Sequence, residues 1–293
     1  RLAGAGPLDA VVQRGADMRL PSRYRLVTLE DSTVLQAVRA YPWEHLRGLS
    51  ERDVERYAAR QRRIYESAVA CCCATHWVAE SIAGSYGIPR ERVFTVGFGQ
   101  NHEGPEPAPR DWSTPRYLFV GGDWERKNGP AVLAAFARVR ELHPDALLDI
   151  VGGHPRIDQE GVVAHGRLSL GVPADRERLA KLYSRATAFV LPSLHEPAGI
   201  VYVEAGGAGV PSIGTVNGGA ATMIGPGGLV VDPLQPERIV EAMLTLADPE
   251  TARAMGELAR EHSRLFTWRK VAERLVRAMG IPDLDTSGLA EFL

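Results

Sequence analysis

From residue 115 onward, two local patterns alternate so regularly that they leave few possible folds. Short apolar runs that predict strands are separated by longer stretches in which apolar residues recur with helical periodicity. The runs lie at residues 117–120, 147–151, 162–164, 188–191, 211–213 and 229–231, and the helical stretches lie at 130–142, 174–184 and 200–208 and then begin at 236 and 250. Strands that are apolar throughout are buried on both faces, and this alternation is typical of a parallel doubly wound sheet. We therefore predict an α/β, Rossmann-like domain over residues 115–270, with a helix and tail over 271–293 that could pack back on the N-terminal domain.

The first hundred residues predict a second domain of the same type with fewer strands. Strand-like runs lie at residues 11–12, 25–29, 69–74 and 93–96, and a long helix is predicted at 50–67. Four strands are few for a doubly wound domain, so we expect residues 1–104 to form a partial Rossmann-like domain that lacks its first strands. Prolines are frequent in residues 105–109, which favours an extended linker over residues 105–114.

The composition argues against several classes of function. The chain has 293 residues, of which 45% are hydrophobic, and this is enough for two packed cores. Its formal net charge of -2 gives no electrostatic reason to expect a nucleic-acid partner. No apolar run approaches the roughly 18 residues of a membrane span, and no export signal is recognisable, so we expect a cytoplasmic location. The charged stretch at 51–63 predicts a solvated helix face, with contact at a membrane surface as the alternative.

The three cysteines are consecutive, at Cys71, Cys72 and Cys73. Adjacent cysteines do not have the spacing of zinc ligands, and neighbours on a strand point to opposite faces. We interpret them as small apolar residues of a buried strand, and we expect no metal site.

Residues 192–204 (PSLHEPAGIVYVE) join the end of a predicted strand to a predicted helix. Ligands of open α/β sheets bind outside the carboxyl ends of the strands. Gly199 permits close approach of the backbone, and the free N–H groups of Gly199, Ile200 and Val201 predict an anion site at the helix N-terminus. Glu196 and Glu204 could hold hydroxyl groups on either side of a bound diphosphate. The alternative is structural, with Glu196 capping the helix and Glu204 on the surface.

Lys127 is one of three lysines in a chain whose other basic residues are arginines; the others are Lys181 and Lys270. It follows a predicted strand, in a turn where a compact cation would meet a phosphate.

The spacing PSxxEPxGxxxxEA resembles the donor-site motif of retaining glycosyltransferase family 4. The likeness extends to residues 119–129 (FVGGDWERKNG), 148–152 (LDIVG), 163–166 (VAHG), 75–79 (THWVA) and 96–101 (VGFGQN), and so to nearly the whole chain. It implies the GT-B fold, with two Rossmann-like doubly wound domains. It also implies metal-independent, retaining transfer of a sugar from a nucleotide-diphosphate-sugar to a small-molecule, glycan or lipid-linked acceptor, without a cofactor.

The resemblance also implies roles for individual residues. Glu196 would bind hydroxyls of the donor sugar, Glu204 would bind the ribose, and Lys127 would neutralise the diphosphate. The other residues expected to contact the donor are Gly122, Arg126, Gly152, His165, His195, Gly199, Ile200 and Val201.

Two positions depart from the family pattern. Gly122 stands where many members carry a phosphate-binding Arg, and Arg126 could take its place. Glu30 stands where many members carry a His, and Asp31 or Ser32 is expected to cap the helix that follows. If the N-terminal domain is partial, we expect nucleotide binding with little transfer. A nucleotide-sugar epimerase of the same fold and a non-catalytic nucleotide-sugar-binding protein remain as alternatives.

Overall fold

The computed structural model describes residues 8–40, 48–101 and 110–280. Residues 105–109 of the predicted linker and 281–293 of the predicted tail lie outside this part of the chain. The described residues form two compact units, each built on its own parallel sheet. The first unit extends to Gly99 and includes the chain again from Trp268, and the second unit comprises Gln100–Thr267.

The strands and helices follow one another in the order that the sequence patterns predict. They are β1 (Val11–Arg14), β2 (Leu26–Glu30), α1 (Val34–Ala40), α2 (Glu51–Ser67), β3 (Ala70–Cys73), α3 (His76–Glu80), β4 (Val93–Thr95), β5 (Arg116–Gly121), α4 (Gly129–Leu142), β6 (Leu147–Gly152), β7 (Val162–Gly166), α5 (Pro173–Arg185), β8 (Ala188–Val190), α6 (Ile200–Gly207), β9 (Ser212–Thr215), α7 (Ala220–Ile224), β10 (Gly228–Val231), α8 (Pro236–Thr245), α9 (Pro249–Ser263) and α10 (Trp268–Ala278). All ten strands were predicted, which confirms the α/β class. Helix α1 is the helix expected after Ser32. The short helices α3 and α7 were not predicted, because five residues show too little periodicity.

The sheet of the first unit has the strand order β1-β2-β3-β4, and all neighbours are parallel. Helix α2 begins with a capping box, in which Ser50 and Asp53 bond each other's backbone N–H groups. Its buried residues Ile64 and Tyr65 join the core that covers β3. The three cysteines of β3 are free and fully buried, as predicted. The predicted capping by Asp31 or Ser32 is wrong, since the N–H of Gln36 in α1 donates to the Thr33 hydroxyl.

The sheet of the second unit has the strand order β10-β9-β8-β5-β6-β7, again with all neighbours parallel. From β5 the chain proceeds outward through β6 to β7, and it then returns to β8 on the other side of β5 and continues to β10. The strand order therefore reverses between β5 and β8. The core on either side of this sheet includes the fully buried rings of Tyr117, Phe136 and Phe189.

Within the described ranges, no helix combines the length and the apolar character needed to cross a membrane.

Candidate functional site

A cavity of about 470 Å³ opens at the carboxyl ends of β5 and β6 in the second unit. The reversal of strand order between β5 and β8 places it where ligands of doubly wound sheets bind. This β5–β6 cavity is defined by its lining residues, Val120, Gly121, Gly122, Lys127, Val151, Gly152, Arg167, Leu168, Ser169 and Val201. Of the predicted donor contacts, Gly122, Lys127, Gly152 and Val201 therefore lie together.

The floor of the cavity is made of glycine backbone. Gly152 has a φ of 125°, and a Cβ on it would lie 1.8 Å from the Gly121 carbonyl oxygen. A Cβ on Gly121 would in turn lie 3.0 Å from Cγ of Lys127, so this glycine makes room for the lysine stem. Gly122 has open space around it. A ligand can therefore approach the main chain directly at the end of β5.

Lys127 lies in the turn that joins β5 to α4, and long-range bonds hold that turn in place. The next residue, Asn128, adopts left-handed backbone angles with a φ of 62°. Its side-chain amide donates to the carbonyl of Pro192 at 3.2 Å and to that of Pro233 at 3.0 Å. The turn is thereby tied to the loops that follow β8 and β10.

The ammonium of Lys127 donates a hydrogen bond to the Glu196 carboxylate, and both side chains are largely buried. Burial lowers the pKa of Lys127, and the attraction of Glu196 opposes this shift. Because the pair is removed from water, its charges interact more strongly than they would on the surface. An anion that enters the cavity meets a cation that is already oriented.

Glu196 is held rigidly by its own backbone and by a neighbouring hydroxyl. Ser193 donates to its carboxylate at 3.2 Å. Its N–H donates to the carbonyl of Asn217, and its carbonyl accepts from the N–H of Gly219. The carboxylate thus bonds to Lys127 and Ser193, whereas the N-terminus of α6 has no side-chain cap. The structural alternative of Glu196 as a helix cap is therefore wrong.

Gly218 should be sensitive to substitution, because it lies against this backbone. Its φ is 121°, and a Cβ there would lie 2.1 Å from the Glu196 carbonyl oxygen. We expect Gly218→Ala to lower the free energy of unfolding by about 2 to 4 kcal/mol. Gly122→Ala is the control: no atom lies within 4 Å of its added Cβ, and the change should be below about 0.5 kcal/mol. Equal urea midpoints for the two variants would contradict this description of the loop.

Helix α6 begins where the sequence predicts, and its first turn faces the cavity through Val201. Gly199 precedes it with a φ of 83°, and a Cβ there would lie 2.4 Å from the Tyr202 ring. The Tyr202 hydroxyl donates to the Leu191 carbonyl at 2.7 Å, which fixes the helix against the end of β8.

The remaining predicted residues lie around the cavity lining or away from it. Arg126 donates to the Asp123 carboxylate and to the His195 carbonyl, and His195 is buried, which lowers the pKa of its imidazole. Glu204 is 6% exposed, and it lies near Tyr183, whose pKa is raised by burial and then by the charge of Glu204. The alternative of Glu204 as a surface carboxylate is therefore wrong.

His165 belongs to a separate ionic network. Its Nε2 lies 2.7 Å from the buried Asp149 carboxylate, and its Nδ1 lies 2.8 Å from Nη2 of Arg178. Asp149 also accepts from Arg116 at 2.8 Å and from Arg185 at 3.0 Å. Both ring nitrogens of His165 are thus engaged, and the structure does not bring this residue to the cavity.

Arg167 also lines the cavity, although it was not among the residues predicted to contact the donor. It follows Gly166, the last residue of β7, and its guanidinium has no ion pair with any residue in the described ranges. A basic residue directly after a strand was the available signal. Arg167 and Lys127 are thus two basic residues that line the same cavity.

Comparison with known proteins agrees with this architecture. Residues 106–262 match the family model described as glycosyl transferases group 1. D-inositol 3-phosphate glycosyltransferase 1 of Catenulispora acidiphila is 30% identical over an alignment of 225 positions, which covers 68% of this chain and 54% of the relative. A GDP-mannose-dependent alpha-(1-6)-phosphatidylinositol monomannoside mannosyltransferase of Mycolicibacterium smegmatis is 34% identical over an alignment of 161 positions, which covers 49% of this chain and 41% of the relative. The chain spans about half the length of these relatives.

Solved structures share the fold at low sequence identity. Sucrose-phosphate synthase from Thermosynechococcus elongatus aligns with a TM-score of 0.64 at 24% identity, over 87% of this chain and 67% of that chain. Anabaena HepE, solved in complex with UDP and glucose, aligns with a TM-score of 0.64 at 16% identity, over 88% of this chain and 72% of that chain. These likenesses identify the fold as GT-B. Because the family model covers more than half of its residues, this chain belongs to the glycosyl transferases group 1 family.

Proposed function

We propose that the β5–β6 cavity binds a nucleotide-diphosphate-sugar and that the protein transfers this sugar to an acceptor hydroxyl. The observation that supports this most is the convergence of two cations, Lys127 and Arg167, on a cavity whose floor is glycine backbone. A diphosphate needs cations and close N–H donors, and this arrangement offers both.

The ion pair between Lys127 and Glu196 suggests how the donor is recognised. Without ligand, each side chain neutralises the other inside a largely buried site. When a diphosphate binds, it takes Glu196's place as the partner of Lys127. The Glu196 carboxylate is then free to accept hydrogen bonds from sugar hydroxyls, which favour a charged acceptor. The same pair would thus read both the phosphate and the sugar of the donor.

In the proposed reaction, the bond between the anomeric carbon and the donor phosphate oxygen breaks. A bond to the acceptor oxygen forms on the same face of the sugar, and the acceptor proton passes to the leaving phosphate. Negative charge grows on the leaving diphosphate, so cations and N–H groups that are already oriented lower the barrier. Lys127, Arg167 and the first turn of α6 supply these groups, and no metal is required.

The names of the relatives suggest which substrates to test first. One relative is GDP-mannose-dependent by name, and others are named for D-inositol 3-phosphate. We therefore take GDP-mannose as the first donor, with UDP- and ADP-sugars beside it. Among the acceptor classes, a small molecule, a glycan and a lipid-linked sugar all fit the proposed reaction.

Calorimetric titration with GDP, UDP and ADP tests donor binding. We expect one nucleoside diphosphate to bind with a dissociation constant of about 1 to 100 μM, and to raise the melting temperature at saturation. Arg167→Ala should weaken this binding about tenfold, since its guanidinium is exposed. The matched control is Arg138→Ala, which removes an exposed arginine paired with Glu141 on α4. Absence of binding by all three nucleotides would contradict the proposal.

Turnover of the donor separates an enzyme from a protein that only binds it. We expect release of nucleoside diphosphate from the matching sugar donor, at the same rate with and without EDTA, because protein cations do the work of a metal. Tight donor binding without any release would favour the non-catalytic alternative. Activity that EDTA removes and Mg²⁺ restores would contradict the proposed role of Lys127 and Arg167.

A further inference from the structure

A second cavity, of about 440 Å³, lies wholly within the first unit at the carboxyl ends of β1 and β2. We name it the N-terminal cavity, and it is lined by Gly15, Ala16, Asp17, Glu30, Asp31, Ser32, Thr33, Val34, Ala37, Leu49, Tyr57, Arg60 and Gln61. Its volume is of the size that holds a small polar molecule. None of these residues lines the β5–β6 cavity.

The N-terminal cavity contains a buried carboxyl group with an unused oxygen. Glu30, the last residue of β2, is 3% exposed, and its Oε1 and the neighbouring hydroxyl of Tyr65 are both buried without a hydrogen bond of good geometry among the described residues. A buried polar atom without a partner is costly to the fold, and such atoms are usually satisfied by a ligand or by water. Glu30 therefore offers a hydrogen-bond position to a bound molecule.

The other charges around Glu30 are mainly negative. Asp17 and Asp31 line the same cavity, against one guanidinium, that of Arg60, which donates to the Asp17 carbonyl. The Asp17 carboxylate has no ion pair within the described ranges. The Asp31 carboxylate accepts a hydrogen bond from the Ser32 hydroxyl at 3.3 Å, and its ion pair with Arg14 is long, at 3.6 Å. A phosphorylated ligand would meet like charges here, whereas a cation would meet opposite ones.

We propose that the N-terminal cavity binds the acceptor through a protonated amine, so that the acceptor is an amino sugar. This inference rests on the proposed glycosyl transfer and names the substrate class of the acceptor side. The ammonium would donate to Glu30 and would be attracted by Asp17 and Asp31. The half-exposed ring of Tyr57 at the same cavity provides an apolar face for the sugar C–H groups.

The ionisation of Glu30 would be coupled to this binding. Burial, and then the carboxylates of Asp31 and Asp17, raise the pKa of Glu30 to about 8, although the neighbouring Tyr65 hydroxyl opposes this shift. The other titratable or charged groups near it are Tyr65 and Arg60 of α2, Cys71 and Cys73 of β3, and Tyr86. An ammonium beside Glu30 favours the ionised form, so a carboxyl that is neutral in the free protein would release its proton on binding.

The free energy of unfolding of the ligand-free protein should depend on pH through Glu30. The folded state holds the Glu30 proton up to about pH 8, whereas the unfolded chain loses it near the ordinary value of 4.5. Between these values the folded state binds more protons, so the stability of the wild type should fall as the pH rises, and level off above pH 8. Glu30→Gln cannot ionise. The melting temperature of Glu30→Gln minus that of the wild type should therefore increase as the pH rises from about 4.5 to 8. Parallel plots of melting temperature against pH for the two proteins would contradict the assignment.

Binding of matched sugars tests the proposal directly. The probes are glucosamine, N-acetylglucosamine and glucose 6-phosphate, titrated calorimetrically at about pH 6.5 in two buffers of different ionisation enthalpy. We expect glucosamine to bind at least about tenfold more tightly than N-acetylglucosamine, and glucose 6-phosphate to bind most weakly. Close to one proton should be released with glucosamine alone.

Variants separate the acceptor side from the donor side. Glu30→Gln should abolish both the preference for glucosamine and the proton release, and Asp17→Asn should reduce the preference only. Both variants should bind the nucleoside diphosphate as the wild type does. Equal binding of the three sugars, or a preference that Glu30→Gln leaves intact, would overturn this inference while nucleotide binding persists. If the wild-type protein binds glucosamine but binds no nucleoside diphosphate, the proposed function is refuted instead.

Discussion

Replacing Glu196 with glutamine or alanine is expected to lower donor turnover by about 10²- to 10³-fold, while nucleotide affinity changes little. The carboxylate is mostly buried and bonded to Lys127 and Ser193, so its role in the proposed reaction requires a charged acceptor for sugar hydroxyls. Glutamine keeps the shape and removes that charge. Steady-state release of nucleoside diphosphate, measured beside calorimetric titration of the nucleotide, distinguishes turnover from binding.

The control for Glu196 is Glu125→Gln, which changes an exposed glutamate in the turn that carries Lys127. This variant should turn over at the wild-type rate. Thermal melts of both Glu196 variants should show a cooperative transition, because no apolar core residue is removed. Near-wild-type turnover by Glu196→Ala would refute the assignment of this residue to the donor site.

Replacing Lys127 with methionine is expected to raise the dissociation constant of the nucleoside diphosphate by roughly 10²-fold and to slow turnover further. Methionine keeps the apolar stem that passes over Gly121, and it removes only the charge. Turnover should be lower even at saturating donor, because negative charge on the leaving phosphate increases toward the transition state and Lys127 stabilises that charge. Lys127→Arg should restore part of the affinity, since its planar guanidinium does not fit the position of an ammonium.

Two comparisons make the Lys127 result specific. Lys181→Met removes an exposed lysine that pairs with Glu177 on α5, and it should bind nucleotide as the wild type does. Arg126→Ala removes a cation that already donates to Asp123 and to the His195 carbonyl. It should raise the dissociation constant of the nucleoside diphosphate less than Lys127→Met does. A silent Lys127→Met beside a strong Arg126→Ala effect would reverse the assignment of the phosphate-binding cation.

Nucleotide affinity should depend on pH through the protonation of Lys127. Burial lowers the pKa of Lys127 below the usual lysine range, although Glu196 opposes this shift. Nucleotide affinity depends on the protonated amine, so it should be lost at a lower pH than an ordinary lysine would permit. In Lys127→Arg, the affinity that remains should persist to higher pH, because the guanidinium stays charged.

The sequence by itself determined the features that depend on local pattern. Apolar runs bounded by turns predicted every strand, and the spacing of apolar residues predicted the long helices, because buried strands and amphipathic helices impose periods of their own. The junction around Glu196 and the turn around Lys127 were also found from the sequence. Parallel strands bring their carboxyl ends to one edge of a sheet, so residues that follow different strands can be expected to meet there.

The tertiary structure alone decided which of those residues meet, and in what surroundings. Asn128 bonds to carbonyls 64 and 105 residues away, and the partners of His165 come from β6 and α5. Such contacts depend on strand order and helix packing, which no local pattern encodes. For the same reason, Arg167 was identified as a lining residue and Glu30 as a buried carboxyl with a raised pKa only from the folded chain. Charge and burial at a site are sums over neighbours distant in sequence, and only the fold brings those neighbours together.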